Sequence, residues 1–127
     1  MYPLTAILVT FFAAIISGHT VNCWNGYVEG ARLSKIKEGI EYLRHTYPYQ
    51  LAWLGPGQCA RVSCSQNSAI HWCNDNKDGP GFAMRYNSIA DGAQVLVNEC
   101  ADGSHVAGVV DHPDNWRALV YLTATDC

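Results

Sequence analysis

Six cysteines, Cys23, Cys59, Cys64, Cys73, Cys100 and Cys127, all lie downstream of an apolar N-terminal run, and together these features restrict the fold more than anything else in the chain. An even cysteine count behind an export segment implies a disulfide framework, because such bonds form and persist in oxidising compartments. From Leu4 to Ile16 there is no charge and no glycine, and Ser17, Gly18, His19 and Thr20 follow as small or polar residues of the kind a signal peptidase accepts. The run rises about 20 Å as a helix, short of a hydrocarbon core of about 30 Å, so it reads as the h-region of a cleaved signal and not as a membrane anchor. Cleavage is expected between Ser17 and Val21. Residues 1–20 are then signal, and residues 21–127 form one secreted disulfide-rich domain, too short for two good cores.

Metal binding is the weaker reading of the cysteines. A zinc ribbon needs CxxC pairs, whereas the closest pair is Cys59 and Cys64, and no histidine lies three to five residues from another. Asn74, Asn76 and Asp78 alternate ahead of Gly79 like half a calcium loop, but Arg85 occupies the twelfth position, where a bidentate glutamate is required. No metal or cofactor is expected. The net charge is −3, with eight Lys and Arg that never form a run. Nucleic-acid affinity rests on a dense basic face, so that partner class is disfavoured.

Leu33, Ile36, Ile40 and Leu43 recur at helical spacing within Ala31 to Arg44, with charged residues on the other faces. The helix should end near Thr46, since Pro48 disfavours the α conformation at the residue before it. Tyr47 to Gly57 reads as a loop rich in aromatics and turn residues. Between Gln58 and Asn74 two alternating runs flank Ser65-Gln66-Asn67, which predicts a β-hairpin with a three-residue loop. Centring it on Gln66 sets Cys64 opposite Ser68, Val62 opposite Ile70 and Cys59 opposite Cys73. Opposed Cβ atoms lie within reach of a disulfide, so Cys59 pairs with Cys73, while Cys64 falls on the other sheet face and needs a partner elsewhere.

A polar loop, Asn74 to Gly81, precedes a second helix from Ser88 to Cys100, with Ser88 and Asp91 as an approximate capping box. Val106 to Val110 and Trp116 to Thr123 read as two strands joined by a turn from Asp111 to Asn115. Helix, hairpin, helix, hairpin favours an α+β fold: two helices packed on a mainly antiparallel sheet, stapled by disulfides.

Catalytic motifs are sparse. The disulfide reading takes every cysteine, and no G-x-S-x-G occurs. His71, His105, His112, Glu38, Glu41, Glu99 and Arg85 offer the ingredients of a secreted ribonuclease, yet nothing orders them into a motif. A protease inhibitor is a further alternative, without a recognisable reactive loop. Trp72 and Trp116 fall in strands and read as core; Trp24, Trp53, Tyr47 and Tyr49 fall in irregular segments and are candidates for exposure and recognition.

The stretches GPGQCARVSCSQNSAIHWCNDN, SIADGAQVLVNEC and NWRALVYLTATDC resemble small cysteine-rich proteins secreted by filamentous fungi, including plant pathogens, across most of the mature chain. More distantly, the order of a cysteine-bearing hairpin, a helix ending in cysteine and a last strand before a terminal cysteine is similar to the killer toxins encoded by viruses of smut fungi. That resemblance implies an α/β sandwich and pairs Cys23 with Cys100 and Cys64 with Cys127. The toxins carry more cysteines, and Arg61 or Val62 stands where they place a functional lysine, so their calcium-channel blockade does not carry over. The expectation is a secreted, monomeric, non-enzymatic effector or toxin-like protein. It would act on a protein or membrane protein of a host or competitor, outside cells or after uptake, without inserting stably into a membrane.

Overall fold

A computed structural model describes residues 18–127, so the expected signal lies outside the described residues except for Gly18, His19 and Thr20. Along the chain the elements are β1 (Thr20–Cys23), β2 (Ala31–Arg32), α1 (Leu33–Thr46), β3 (Leu51–Leu54), β4 (Cys59–Ser65), β5 (Ser68–Asn74), β6 (Phe82–Arg85), α2 (Tyr86–Cys100), β7 (His105–Val106), β8 (Gly108–His112) and β9 (Trp116–Leu122). Five strands form one sheet in the order β1-β8-β9-β5-β4, every neighbour antiparallel. Two antiparallel ribbons, β2 with β7 and β3 with β6, complete the fold.

Side chains alternate across a strand, so one parity of each strand builds the core. Ile70 and Trp72 of β5, Ala118 and Val120 of β9 and Val110 of β8 share one face, where they meet Ile36, Ile40 and Leu43 of α1 and Ile89, Ala93, Leu96 and Val97 of α2. Both helices thus cover the same side of the sheet, giving the α+β arrangement. The helices approach the strands closely at glycine: a Cβ on Gly92 would lie 2.9 Å from the Ala118 Cβ. Arg44 joins α1 to α2 through Asp91 (Nη1 to Oδ1, 2.8 Å), and Tyr47 packs on Tyr86 with ring centroids 5.0 Å apart.

The hairpin departs from expectation near its tip. Cys59 does face Cys73 and Arg61 faces His71, but Ser63 faces Ile70 and Cys64 faces Ala69. Val62 is an extra residue in a bulge, and the loop has two residues, Gln66 (φ 47°) and Asn67 (φ 61°). Two left-handed residues make the type I′ turn whose twist matches that of the paired strands. The bulge also reverses the parity of β4, because bulged strands carry one unpaired residue. Cys64 therefore shares the face of Cys59, not the opposite one.

Other elements differ as well. The supposed loop from Tyr47 to Gly57 contains β3, whose partner β6 follows the polar loop; neither shows in local alternation alone because the ribbon is four residues long. The second helix begins at Tyr86 and not Ser88, since the chain runs directly out of β6, and no side chain caps it. Asp91 is held by Arg44 instead of closing a capping box. The last turn narrows to Pro113, Asp114 and Asn115, with Asn115 at φ 62°.

Three disulfides cross-link these elements. Cys59–Cys73 bridges directly opposed residues of the hairpin, Cα atoms 4.0 Å apart. Cys23–Cys100 ties β1 to the end of α2, and Cys64–Cys127 clamps the C-terminal tail to β4. The tail is held further where Cys127 N donates to Asn67 Oδ1 (3.2 Å) and Thr123 N donates to Asn67 O (2.7 Å).

Candidate functional site

The sheet face turned away from the helices carries the opposite parity of each strand. Residues in register share a face, so Arg61, His71, Leu119, Val109 and Asn22 form one row across β4, β5, β9, β8 and β1. Beside it run Cys64, Ala69 and Tyr121, and on the other flank Cys59, Cys73, Arg117 and Asp111. Two disulfides, Cys59–Cys73 and Cys64–Cys127, thus open onto this face, and both hold β4, the strand at one of its edges.

At the centre His71 stacks on Tyr121, ring centroids 4.8 Å apart and planes 12° from parallel, with His71 Nε2 3.3 Å from the Tyr121 hydroxyl. Burial lowers the His71 pKa, and the Arg61 guanidinium across the strand lowers it further. Its Nδ1 is buried and has no protein partner. On the flank Arg117 Nε lies 3.3 Å from Asp75 Oδ1, off hydrogen-bond alignment. Burial raises the Asp75 pKa; this outweighs the attraction of Arg117, and Asp111 adds to the rise.

The wall of this face is a short loop. Trp24 follows β1, and its N donates to Ala107 O (2.9 Å), one residue before β8. Ala107, next to Gly108 at the start of β8, is small and fully buried, and Trp24 packs on Tyr121 with ring centroids 6.3 Å apart. The chain then turns at Gly26 (φ 82°), with Tyr27 N donating to Trp24 O (3.0 Å) and Asn25 Nδ2 to Cys100 O (2.9 Å). The Cys23–Cys100 disulfide anchors the same end. At Gly30 the chain passes so near β7 that a Cβ would lie 2.9 Å from the His105 Cβ. Between loop and sheet runs a groove of about 470 Å³, lined by Trp24, Val28, Glu29, Leu119, Tyr121 and Leu122 among others.

Of the catalytic candidates, His71 alone stands on this face. His105 is exposed on β7, and His112 closes β8, stacked on Trp116 (5.0 Å) with its Nδ1 accepting from Asp114 N (3.1 Å). Glu38 pairs with Lys35 (3.2 Å) and Glu41 with His45 (2.9 Å) on α1, while Glu99 and Arg85 are exposed on α2 and β6. The histidines are thus on three different strands with different local partners. Among the described residues no group of three or more His, Cys, Asp or Glu is placed to hold a metal ion, and no helix is long and apolar enough to cross a membrane.

Trp72 and Trp116 are buried in the core, as expected. Trp53 and Tyr49 are 64% and 96% exposed; Trp53 and Leu51 share the outer face of the β3–β6 ribbon, the indole lying against Gly81 where a Cβ would overlap it. Tyr47 is only half-buried, between Tyr42 and Tyr86. Sequence reasoning missed Tyr121, Leu119 and Glu29. The available signal was the strand WRALVYL, apolar at both parities, which marks a strand whose second face is more than solvated surface. Comparison with protein-family models and with curated proteins finds no match to this chain.

Proposed function

We propose that this is a secreted, non-enzymatic protein that acts on a macromolecule of a host or a competing organism, binding it through the helix-free face of the sheet. The observation that carries this reading is the groove lined by Trp24 and Tyr121, built on strands and a loop that disulfides hold in place. Rigid aromatic side chains around a pocket are the usual anchors of recognition, because they offer large contact area at low entropic cost. Three disulfides suit a protein that works in an oxidising extracellular medium. The resemblance to fungal secreted proteins supplies the biological setting, effector or antagonistic toxin.

A secreted ribonuclease is the competing reading, favoured by Arg61 standing across from His71 beside the Tyr121 hydroxyl. General acid–base catalysis would ask two such groups to exchange protons with substrate, and His71 has its companion histidines on other strands. The experiment is incubation of the purified oxidised protein with RNA, alongside a His71→Ala variant. Neither protein should cleave. Robust cleavage lost in the variant would replace the proposal with the enzyme reading.

A further inference from the structure

We infer that the Trp24–Tyr121 groove is a binding site for an organic ammonium group. The inference rests on reading the helix-free face as a recognition surface, and it names the chemistry that face selects.

Aromatic faces carry a negative quadrupole and attract alkylammonium cations within about 6 Å of a ring centroid, more strongly where water is excluded. Here Trp24 and Tyr121 pack on each other, ring centroids 6.3 Å apart and tilted by 49°, and both line the groove, so an ammonium group would lie against their groove side and not between them. One face of Tyr121 is already taken by His71, stacked at 4.8 Å. Leu119, Leu122 and Val28 supply apolar surface suited to methyl or methylene groups on the nitrogen. Glu29 supplies the anion; it lines the same groove and makes no ion pair among the described residues. No lysine or arginine of this chain is among the lining residues, so the rings and the carboxylate lack a cationic partner. The groove volume of about 470 Å³ lies within the range of small-ligand pockets, roughly 300–1,000 Å³. Two sources carry this group: a choline headgroup, and a lysine side chain, methylated or plain.

The test is titration of the oxidised protein, followed by the Trp24 indole N–H resonance in a ¹H–¹⁵N spectrum. The probes are choline, trimethyllysine and lysine as blocked amino acids, and 3,3-dimethylbutan-1-ol, the uncharged isostere of choline. At least one ammonium probe should shift the Trp24 resonance saturably in the millimolar range, and the isostere should bind roughly tenfold or more weakly. The tighter of choline and the lysine derivatives identifies the source. Glu29→Gln, an exposed change, should weaken binding several-fold, Trp24→Leu should abolish it, and Trp53→Leu on the distant ribbon should leave it unchanged. Equal binding of the isostere, or no shift with any ammonium probe in the folded wild type, would overturn the inference. Such failure would leave the recognition reading to stand or fall on its own assays of RNA cleavage and biological activity, which use no ammonium ligand.

Discussion

His71 shows how one side chain reports on the site around it. It is half-buried, stacked on Tyr121, and its pKa lies below the ordinary histidine value of about 6.5 because burial and the Arg61 charge both penalise the imidazolium. A histidine with a depressed native pKa binds a proton more readily when unfolded. Its contribution is therefore fully present above about pH 6.5 and lost as pH falls from there through the native pKa. Thermal unfolding between pH 7.5 and 5 should show melting temperature falling on the acid side. In His71→Phe, which keeps the stack without a titrating group, that fall should be smaller; an identical acid-side loss would remove His71 as its cause. Gly92 tests packing at the same scale. Alanine there would gain about 1 kcal/mol of helix propensity, but its Cβ would meet the Ala118 Cβ at 2.9 Å, a contact between two atoms fixed to backbone. Gly92→Ala should thus destabilise the protein, by a net of about 1–2 kcal/mol in denaturant unfolding. Stabilisation would mean that α2 can ride up on the sheet at no cost.

Among the elements, the β4–β5 hairpin divides what the sequence discloses from what it conceals. Alternation places Cys59 opposite Cys73 at the far end, even though the loop at the tip has two residues and not three. The type I′ loop at Gln66 and Asn67 shortens the tip by one residue and the bulge at Val62 restores it, so two departures cancel at the disulfide and not at Cys64. Neither Gln nor Asn at those positions is the Asn-Gly or Asp-Gly pair that advertises such a turn. A β-branched residue resists φ near 47°, so Gln66→Val should cost about 1–2 kcal/mol, whereas in a three-residue loop of ordinary turn residues it would be nearly neutral. Both helices were readable because their apolar stripes face one sheet; β3 and β6 were not, because a four-residue ribbon is specified by pairing over a long sequence separation. The aromatic groove was hidden for a related reason. Trp24 and Tyr121 are brought together only by β8 lying between them. In the chain-entropy model Cys59–Cys73, closing about 15 residues, contributes roughly 3 kcal/mol, and Cys23–Cys100, across a separation of 77, roughly 4–5 kcal/mol. Replacing Cys23 and Cys100 by serine should therefore lower stability more than replacing Cys59 and Cys73. It should also release the Asn25 anchor and speed amide exchange in residues 24–30; unchanged exchange there would show that the loop does not depend on the bond.

At the scale of the whole molecule, the two sides of the sheet do different work. One side buries both helices and supplies the stability of a small domain. The other bears the Trp24–Tyr121 groove, the His71 stack and two of the three disulfides, and in the proposed function it is where a target is held. Activity should then follow the oxidised framework and the aromatic wall and be indifferent to proton exchange at His71. Reduction, or loss of Cys59 and Cys73 together, should abolish activity and protease resistance in parallel, since a bridge of roughly 3 kcal/mol is a large share of a total of about 5–15 kcal/mol. The most direct measurement is the dose–response of tissue infiltration, or of growth inhibition of a sensitive microbe. It compares wild type, Trp24→Leu and His71→Phe at matched melting temperature and intact disulfides. If the aromatic wall holds the target, His71→Phe acts like wild type and Trp24→Leu is inactive; an inactive His71→Phe with an active Trp24→Leu would contradict that role.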